Sequence, residues 1–245
     1  MQSRRNNIAA KVIVPLDYSC AADAETLLTV LSGIPCYLKV GMELFYAEGP
    51  GFVLSLKERG YKVFLDLKMH DIPNTVKGGA ESITRLGVDM FNVHAAGGIA
   101  MMEAAREGVD KALSTYSGAS LLRPLIIAVT QLTSTSQAVM NREIGIPGFV
   151  GDAVLHYAET AKQAGLDGVV ASPQEVRLIK TSLGAAFLTV TPGIRPAGSD
   201  KGDQSRVMTP AEAFAQGTDY IVIGRPITAH ANPRQAFETL LEELI

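Results

Sequence analysis

The segment KVFLDLKMHDIPNT, residues 62–75, changes from an apolar run to a cluster of charged groups within a few positions. Its first half combines β-branched and large apolar side chains, which is typical of a buried strand. Asp66 and Lys68 stand near the end of this first half, two positions apart, so on a regular strand both side chains point the same way. The segment therefore predicts a buried strand that places a carboxylate and an ammonium group in one small space.

Seven further apolar runs occur along the chain, separated by longer helix-like segments. The eight runs are VIVPLD (12–17), CYLKVG (36–41), KVFLDLK (62–68), MFNVHA (90–95), PLIIAVT (124–130), GVVAS (168–172), FLTVTPGI (187–194) and YIVIGRPI (220–227). Eight alternating strand and helix units are what a closed parallel barrel needs. An open doubly wound sheet is the alternative, but no G-x-G-x-x-G segment follows the first run. We therefore predict an α/β fold consisting of a single (β/α)8 TIM barrel.

The segments between the runs have helical patterns that end at glycines. Examples are AADAETLLTVLSG (21–33), GPGFVLSLKERG (49–60) and GDAVLHYAETAKQAG (151–165). A terminal glycine can take the left-handed conformation that closes a helix. Two longer stretches, 134–148 and 195–208, interrupt the spacing after the fifth and seventh runs, and long loops in compact domains are often lids or binding loops.

Composition narrows the class of protein. The chain has 245 residues, 47% hydrophobic content, a net charge of −3 and a pI near 5.8. This length suits one domain over residues 1–245, and the interspersed charges offer no broad basic face for nucleic acid. Cys20 and Cys36 have no spacing that indicates a disulfide framework or a zinc site. With neither a signal-like apolar region nor a membrane-spanning run, the chain is expected to be cytoplasmic and without a membrane partner.

Polar side chains cluster where the apolar runs finish. They are Asp17, Lys39, Asp66, Lys68, His94, Thr130 and Arg225. In a (β/α)8 barrel, the carboxyl ends of the strands form the catalytic face. A paired, buried ion network that only orders the strand ends is the other interpretation, but burying charges costs roughly several kcal/mol each, and apolar packing is often as stabilising. Several charges on one face therefore favour a functional site.

The seventh and eighth runs end in TPGIRP and IGRPI, which indicate a phosphate site, because loops after these two strands commonly hold phosphate in this fold. Arg195 and Arg225 can clamp an anion, and Gly224 lets backbone N–H groups approach its oxygens. Either arginine alone is explained as well by a surface ion pair. Both arginines, together with Gly193 and Gly224, favour a ligand.

Two histidines carry weaker signals. His94 can act as an acid or a base, but a lone histidine at a strand end is at least as often structural, so it is left out of the predicted site. His70 lies next to Asp71, yet these residues have no recognised metal-ligand spacing with a third partner. No metal is therefore predicted.

The string DLKMHDIPNT (66–75) resembles the D-x-K-x-x-D-I-P-N-T signature of the orotidine 5′-phosphate decarboxylase family, in its bacterial type. Further segments resemble family motifs in family order, namely LD (16–17), LKVG (38–41), NVHAAGG (92–98), AVTQLTS (128–134), TPGIRPAG (191–198), GDQ (202–204) and VIGRPIT (222–228). Pro15 departs from the pattern, since the family more often has a residue with an amide proton there. A mid-strand proline loses a ladder bond, so a local bulge or altered pairing can follow near Asp17.

The resemblance implies decarboxylation of orotidine 5′-phosphate to UMP and CO2 in de novo pyrimidine biosynthesis, with no cofactor and no metal. The catalytic residues it implies are Lys68, Asp66, Asp71 and Lys39: Lys68 protonates C6 of the pyrimidine, Asp66 lies against the substrate carboxylate, and Lys39 joins the charge network. A fixed cation in a dry site suits this chemistry, because the carbanion that develops at C6 has no electron sink. Whether Asp66 strains the ground state or only holds Lys68 in place is left open.

The resemblance also implies the substrate contacts. They are Asp17, Lys39, Asp66, Ile72, Thr75, Thr133, Arg195, Gln204, Gly224 and Arg225. Asp17 and Lys39 would bind ribose hydroxyls, and Thr133 would read the pyrimidine edge. The last four residues would hold the 5′-phosphate, with Gln204 contributed by a mobile loop, 196–208.

A homodimer is part of the same expectation. Asp71 and Thr75 would reach the ribose in the neighbouring subunit's site, so each active site would need residues from both subunits. The phosphate lies far from the reacting carbon, and its binding energy could drive loop closure and be expressed in the transition state.

Two other functions share parts of this pattern. Sugar-phosphate decarboxylases and aldolases of the same superfamily have a D-x-K-x-x-D barrel and a similar phosphate site, and generally use magnesium to stabilise an enediolate. The IPNT that follows Asp71 and the GDQ segment argue against them. A catalytically silent nucleotide-phosphate binding protein is the second alternative, and intact Lys68, Asp66 and Asp71 argue against it.

Overall fold

Eight parallel strands close into a barrel in the computed structural model, which describes residues 2–115, 121–196 and 208–245. The strands are Val12–Leu16 (β1), Tyr37–Gly41 (β2), Lys62–Met69 (β3), Met90–His94 (β4), Leu125–Val129 (β5), Gly168–Val170 (β6), Leu188–Thr191 (β7) and Tyr220–Val222 (β8). Each strand pairs with the next in sequence, and β1 pairs with β8. The predicted (β/α)8 TIM barrel is confirmed.

Helices connect the strands. They are Gln2–Ala9 (α1), Ala21–Leu31 (α2), Met42–Glu58 (α3), Pro73–Arg85 (α4), Gly98–Thr115 (α5), Gln137–Arg142 (α6), Val150–Gln163 (α7), Val176–Leu183 (α8), Pro210–Ala215 (α9), Arg225–Thr228 (α10) and Pro233–Glu243 (α11), with a 3-10 turn at Ala95–Gly97. The predicted helix-closing glycines Gly33, Gly60 and Gly165 have φ of 79°, 82° and 77°. A left-handed residue after each of these helices is therefore confirmed.

The helix predicted to start near residue 49 is the second part of a longer helical segment. Helix α3 starts at Met42 and is interrupted at Gly49, which has φ of 70° and is followed by Pro50. Gly49 separates two helices, and Pro50 stands at the start of the second one, where its missing N–H is no loss, so the helical pattern predicted from residue 49 is confirmed.

The apolar core has two parts, one inside the barrel and one between the barrel and the helices. Six buried side chains form the inner part: Ile13, Tyr37, Phe64, Met90, Ile127 and Val190. Their neighbours along the strands, such as Val14, Leu38 and Leu65, belong to the outer part. This alternation follows from the two-residue period of a strand. Burial of each such side chain stabilises the fold by about 1.5–3 kcal/mol, so the packed core keeps the strand ends in fixed positions.

The last two strands are shorter than predicted. Strand β8 ends at Val222 instead of reaching residue 227, because Gly224 leaves the extended conformation with φ of −93° and ψ of −108° and Arg225–Thr228 forms α10. Pro226 stands in the first turn of that helix, where its missing N–H is no loss. Strand β7 ends at Thr191, just before Pro192.

Pro15 does not disturb the sheet. The register between β1 and β2 is regular, with Pro15 opposite Lys39 and no bulge. The carbonyl of Ile13 accepts from Ile223 N, so Ile13 and, two residues on, Pro15 both face β8. Pairing between β1 and β8 ends at Ile13 and Val222. The proline therefore faces the region where β8 has already ended, and the altered pairing considered for Asp17 is absent.

Three aspartates fasten the amino ends of the strands. Asp89, Asp167 and Asp219 directly precede β4, β6 and β8, and each accepts a hydrogen bond from a backbone N–H of the strand before, at 2.7, 2.7 and 2.8 Å. The donors belong to Val63, Ile126 and Thr189, and the paired cations are Lys57, Arg123 and Lys180. A left-handed glycine stands two residues before each aspartate, at Gly87, Gly165 and Gly217. We call these three groups the amino-end clamps.

Candidate active site

Charged side chains from the first three strands converge at the carboxyl end of the barrel. The Nζ atom of Lys39 lies 3.3 Å from Asp17 Oδ1 and 3.2 Å from Asp66 Oδ2. The Nζ atom of Lys68 lies 2.7 Å from Asp66 Oδ1. We call these four residues the charged array, in which the structure brings together three of the four predicted catalytic residues and one predicted ribose contact.

Strand β3 is not regular where it carries Asp66 and Lys68. Its pairing with β4 runs Leu65 with Phe91 and then Met69 with Val93, so three residues of β3 stand opposite one residue of β4. Lys68 has φ of 53°, and within the described ranges it is the non-glycine residue with a positive φ. The two side chains therefore meet through a bulge, and the regular alternation expected from the sequence is wrong at this point.

The carboxylate of Asp66 is stabilised in its charged form. Burial would raise its pKa, but the ammonium groups of Lys39 and Lys68 and the hydrogen bonds from Lys68 and Asn92 outweigh burial and hold the pKa below its usual range. Asp66 is 8% exposed, so these partners act in a poorly solvated space. A fixed negative charge thus stands between two cations.

The ammonium group of Lys68 has N–H donors that Asp66 does not use. An ammonium group has three N–H donors. Over the parts of the chain that the structure describes, the acceptor found for Lys68 Nζ is Asp66 Oδ1 alone. Lys68 also lines a cavity, so its remaining N–H groups can point toward a ligand.

This first cavity has a volume of about 290 Å³. Lys39, Asp66, Lys68 and Asn92 line its charged side, and Gln131, Leu132, Thr133 and Ser134 line another side after β5. Its floor consists of Phe64, Val170, Val190 and Val222, the upper side chains of the barrel interior. An apolar floor beside polar side chains suits a small heterocyclic ring.

A second cavity of about 440 Å³ adjoins the first, because Lys39, Pro192 and Val222 line both. Asp17, Arg195, Arg225, Gly193 and Gly224 complete much of its wall. Both predicted phosphate arginines and both glycines therefore meet in one place. The structure thus joins a ring-sized space to an arginine- and glycine-lined space through Lys39.

Two glycines of the second cavity are tied to its shape. Gly193 has φ of 79°, a conformation that L side chains rarely adopt. A Cβ atom added at Gly224 would lie 3.2 Å from Pro15 Cγ. Pro15 therefore packs against the backbone of the predicted phosphate loop.

His94 lies at the edge of the charged array. It is half-buried, and its ring centroid is 5.6 Å from that of His70. Burial, followed by His70 and Lys68, lowers the pKa of His94. The lowered pKa favours the neutral imidazole, and the proximity of His94 to Lys68 is a feature that sequence reasoning left out of the site.

Within the described ranges, no three acidic, cysteine or histidine side chains are placed so that they could share a metal ion. The same residues contain no helix that is both long enough and apolar enough to cross a bilayer.

The model of the family described as orotidine 5′-phosphate decarboxylase / HUMPS matches residues 10–240. The chain belongs to this family. The match includes every residue of the charged array and of both cavities.

Two bacterial relatives named orotidine 5′-phosphate decarboxylase match nearly the whole chain. The protein of Geobacillus sp. (strain WCH70) is 54% identical over 231 residues, which cover 94% of this chain and 95% of that protein. The protein of Bacillus cereus (strain AH187) is 50% identical over 236 residues, covering 96% and 98%. The predictions of the family and of a decarboxylase enzyme are confirmed by these matches.

Solved structures have the same fold. Orotidine 5′-phosphate decarboxylase from Lactobacillus acidophilus superposes with a TM-score of 0.84 at 41% identity, covering 95% of this chain and 97% of that one. An uncharacterized conserved protein from Geobacillus kaustophilus has a TM-score of 0.83 at 46% identity, covering 96% and 100%. The similarity to these solved structures therefore extends over the whole barrel.

The remaining predicted family residues lie apart from the two cavities. Asp71, Ile72 and Thr75 are exposed, lie between β3 and the first turn of α4, and line neither cavity. Ile72 is 68% exposed, which is unusual for a large apolar side chain. Gln204 lies outside the described residues.

The described residues on either side of Gln204 are bonded to each other. Ile194 forms a β-bridge with Met208, and Arg195 N donates to Met208 O at 3.0 Å. Arg195 Nη1 donates to the carbonyl of Ile194 at 2.9 Å. Residues 194–195 and residue 208 are therefore fixed to each other, beside the second cavity that Arg195 lines.

Sequence reasoning missed some lining residues of the site. Asn92 and Gln131 are buried and line the first cavity, while Thr130, noted at a strand end, instead donates its hydroxyl hydrogen to Val170 O at 2.9 Å. The available signal for Asn92 was a polar residue in the middle of the strand-like run MFNVHA, since a buried polar residue needs a hydrogen-bond partner.

Proposed function

We propose that the protein decarboxylates orotidine 5′-phosphate to UMP and CO2 in de novo pyrimidine biosynthesis, without a cofactor or a metal. The observation that carries the proposal is the charged array, which opens into a ring-sized cavity beside an arginine- and glycine-lined one. The names of the relatives support the same reaction. We further propose that residues 1–245 form one domain that works in the cytoplasm.

Lys68 is the proton donor in this proposal. The bond between C6 and the carboxylate carbon breaks, CO2 leaves, and the electron pair stays on C6. A proton from Lys68 Nζ then forms the C6–H bond of UMP, and the amine regains a proton from solvent. The N–H groups of Lys68 not engaged by Asp66 support this role, because an adjacent cation stabilises the developing carbanion before it gives up its proton.

Asp66 and Lys39 fix the position of that cation. The carboxylate of Asp66 accepts from Lys68 at 2.7 Å and lies 3.2 Å from Lys39 Nζ, so the three groups restrain one another. The substrate carboxylate is placed near Asp66, where departure of CO2 removes a like-charge contact. Positioning of Lys68 is the role we assign to Asp66.

The second cavity is assigned to the ribose and the 5′-phosphate. Arg195 and Arg225 pair with the phosphate, and backbone N–H groups near Gly224 approach its oxygens. Gln204 is proposed as a further phosphate ligand. Lys39, which lines both cavities, and Asp17, which lines the second, bind ribose hydroxyls. Thr133 reads the pyrimidine edge from the first cavity.

Asp71, Ile72 and Thr75 are proposed to act across a homodimer interface, where they complete the neighbouring subunit's site. Their exposure supports this, because each would otherwise leave a functional side chain or a large apolar surface in solvent. Each subunit then supplies Lys68 to its own site and Asp71 to the other.

The reaction is tested by the loss of ultraviolet absorbance of orotidine 5′-phosphate with EDTA-treated protein. We expect turnover by the wild type and none above background by Lys68→Ala. Turnover that requires added magnesium and a sugar phosphate would favour the related aldolases and decarboxylases. UMP binding with equal, negligible turnover in both proteins would favour a silent binding protein.

Shared sites are tested by mixing subunits. Lys68→Ala and Asp71→Ala are each expected to be inactive as homodimers. After unfolding and refolding together, half of the dimers are mixed, and each has one site with both residues intact. Activity should then return to about one quarter of wild type, as two-fold symmetry requires. Failure to recover any activity, with dimers present, contradicts the contribution of Asp71 across the interface.

A further inference from the structure

One buried amide joins the two key residues of β3. Asn92 lies in the middle of β4 and is 2% exposed. Its Nδ2 donates to Asp66 Oδ1 at 2.7 Å, and its Oδ1 accepts from the backbone N of Lys68 at 2.8 Å. A carboxylate only accepts and a backbone N–H only donates, so the partners fix the orientation of the amide.

The contact coincides with the irregular part of β3. Three residues, Asp66 to Lys68, stand opposite Asn92 alone, so the ladder between β3 and β4 cannot satisfy all their backbone groups. The Asn92 side chain supplies an acceptor to the Lys68 N–H that would otherwise lack one. It takes the place of a missing ladder bond.

The same contact holds a strained residue. Lys68 has φ of 53°, a region that non-glycine residues occupy only when surrounding contacts enforce it. Rotating Lys68 back to an ordinary strand conformation would change the direction of its side chain. The Nζ atom would then leave Asp66 and the first cavity.

From these contacts we infer that Asn92 is a positioning residue of the decarboxylation reaction, which aims Lys68 by holding both its backbone and its carboxylate partner. The inference rests on the proposed function. Asn92 acts through Lys68 and Asp66, because its two polar atoms already bind them. Loss of the amide should therefore affect the chemical step much more than binding of the phosphate, which lies in the other cavity.

Asn92→Asp gives a readout that a packing role would not. The new side chain keeps the acceptor for Lys68 N but places a second carboxylate against Asp66, so the pair shares a proton with a raised pKa. Protonated, the pair mimics the original hydrogen bond. Ionised, the two carboxylates repel each other and release Lys68. Activity relative to wild type should therefore fall as the pH rises through the range of about 5 to 8.

The experiment measures kcat, KM and thermal unfolding at each pH for wild type, Asn92→Asp, Asn92→Ala and Thr189→Val. The last variant removes another buried polar group of the barrel, away from the cavities, and controls for loss of stability. We expect kcat of Asn92→Asp to be about 100-fold below wild type at pH 8 and to recover at least tenfold relative to wild type at pH 5, because small misplacements of a reacting group have effects of that size. KM should stay within about threefold, and Thr189→Val should keep wild-type kcat.

A kcat within threefold of wild type for both Asn92 variants overturns the inference, and so does a loss that does not change with pH. Turnover by wild type itself tests the proposed function separately. Crystal structures of wild type and Asn92→Ala test the inference even if wild type is inactive. A return of Lys68 to negative φ, with Nζ displaced from Asp66, supports the positioning role, whereas an unchanged Lys68 contradicts it.

Discussion

The two ends of the barrel use the same chemical groups for different purposes. At the amino end, Lys180 gives its three N–H groups to Asp219, at 2.6 Å, and to the carbonyls of Ala185 and Phe187, at 3.0 and 2.7 Å. At the carboxyl end, Lys68 has Asp66 as its acceptor among the described residues. Both lysines face a carboxylate, but of the two only Lys180 has an acceptor for every proton within the part of the chain that the structure describes.

The backbone conformation also differs between the two ends of the barrel. The amino-end clamps rely on glycines for their left-handed positions, which have no Cβ and carry little strain. At the carboxyl end a lysine itself is left-handed, and Asn92 has to hold it. An ion pair therefore indicates a structural role when all its donors and acceptors are used, and a functional one when some remain directed at a cavity.

The sharpest test of this comparison is to remove one lysine from each end of β3. Lys68→Ala should lower kcat by about 1,000-fold or more, because the proposed proton donor is lost. Its unfolding free energy should change little, since Asp66 keeps Lys39 and Asn92. Lys62→Ala, at the exposed amino end of the same strand, is the matched control and should keep wild-type kcat. Equal activities of Lys68→Ala and Lys62→Ala would contradict a catalytic role for the charged array.

The next effect concerns the second cavity. Arg225→Ala should weaken UMP binding about 100-fold, since a hydrogen-bonded charge pair is worth about 1.5–3 kcal/mol. Isothermal titration calorimetry measures it, with the exposed Arg177→Ala on α8 as control. Unchanged affinity in Arg225→Ala would show that the phosphate binds elsewhere.

A clamp should affect stability and leave catalysis intact. Asp219→Asn keeps an acceptor for Thr189 N but removes the charge that matches Lys180, whose side chain is 12% exposed. We expect the free energy of unfolding to fall by about 1–3 kcal/mol, with kcat unchanged at 25 °C. Urea unfolding and the absorbance assay check both parts. A large loss of kcat in a folded protein would remove the distinction between the two ends.

The smallest expected effect is the contribution of His94 to the pH dependence of the free energy of unfolding. Burial, His70 and Lys68 lower its pKa in the folded protein, while Asp66 acts in the opposite direction. The unfolded chain therefore binds the proton more tightly, so the contribution of neutral His94 to stability is complete above pH 6.5 and decreases as the pH falls through the lower folded pKa. His94→Gln should have a flatter stability profile below pH 6.5 in urea unfolding. An identical slope in both proteins contradicts this assignment.

Much of the fold was predictable because strand periodicity and glycine conformation are local properties. All eight apolar runs are strands, and Gly33, Gly60 and Gly165 close helices as predicted. The ends of β7 and β8 were less predictable, because apolar residues continue past the last ladder bond. Pro15 was misjudged for a related reason: whether a missing N–H matters depends on whether a neighbouring strand is still present at that height.

The sequence by itself determined the barrel, the family and the choice of charged residues, because each depends on residue type and order along the chain. Only the tertiary structure decided how those charges are arranged. The bulge in β3, the left-handed Lys68 and the part played by Asn92 arise from the register between β3 and β4, two segments separated by a helix. Register is fixed by packing across the barrel, and no local pattern in DLKMHDIPNT encodes it.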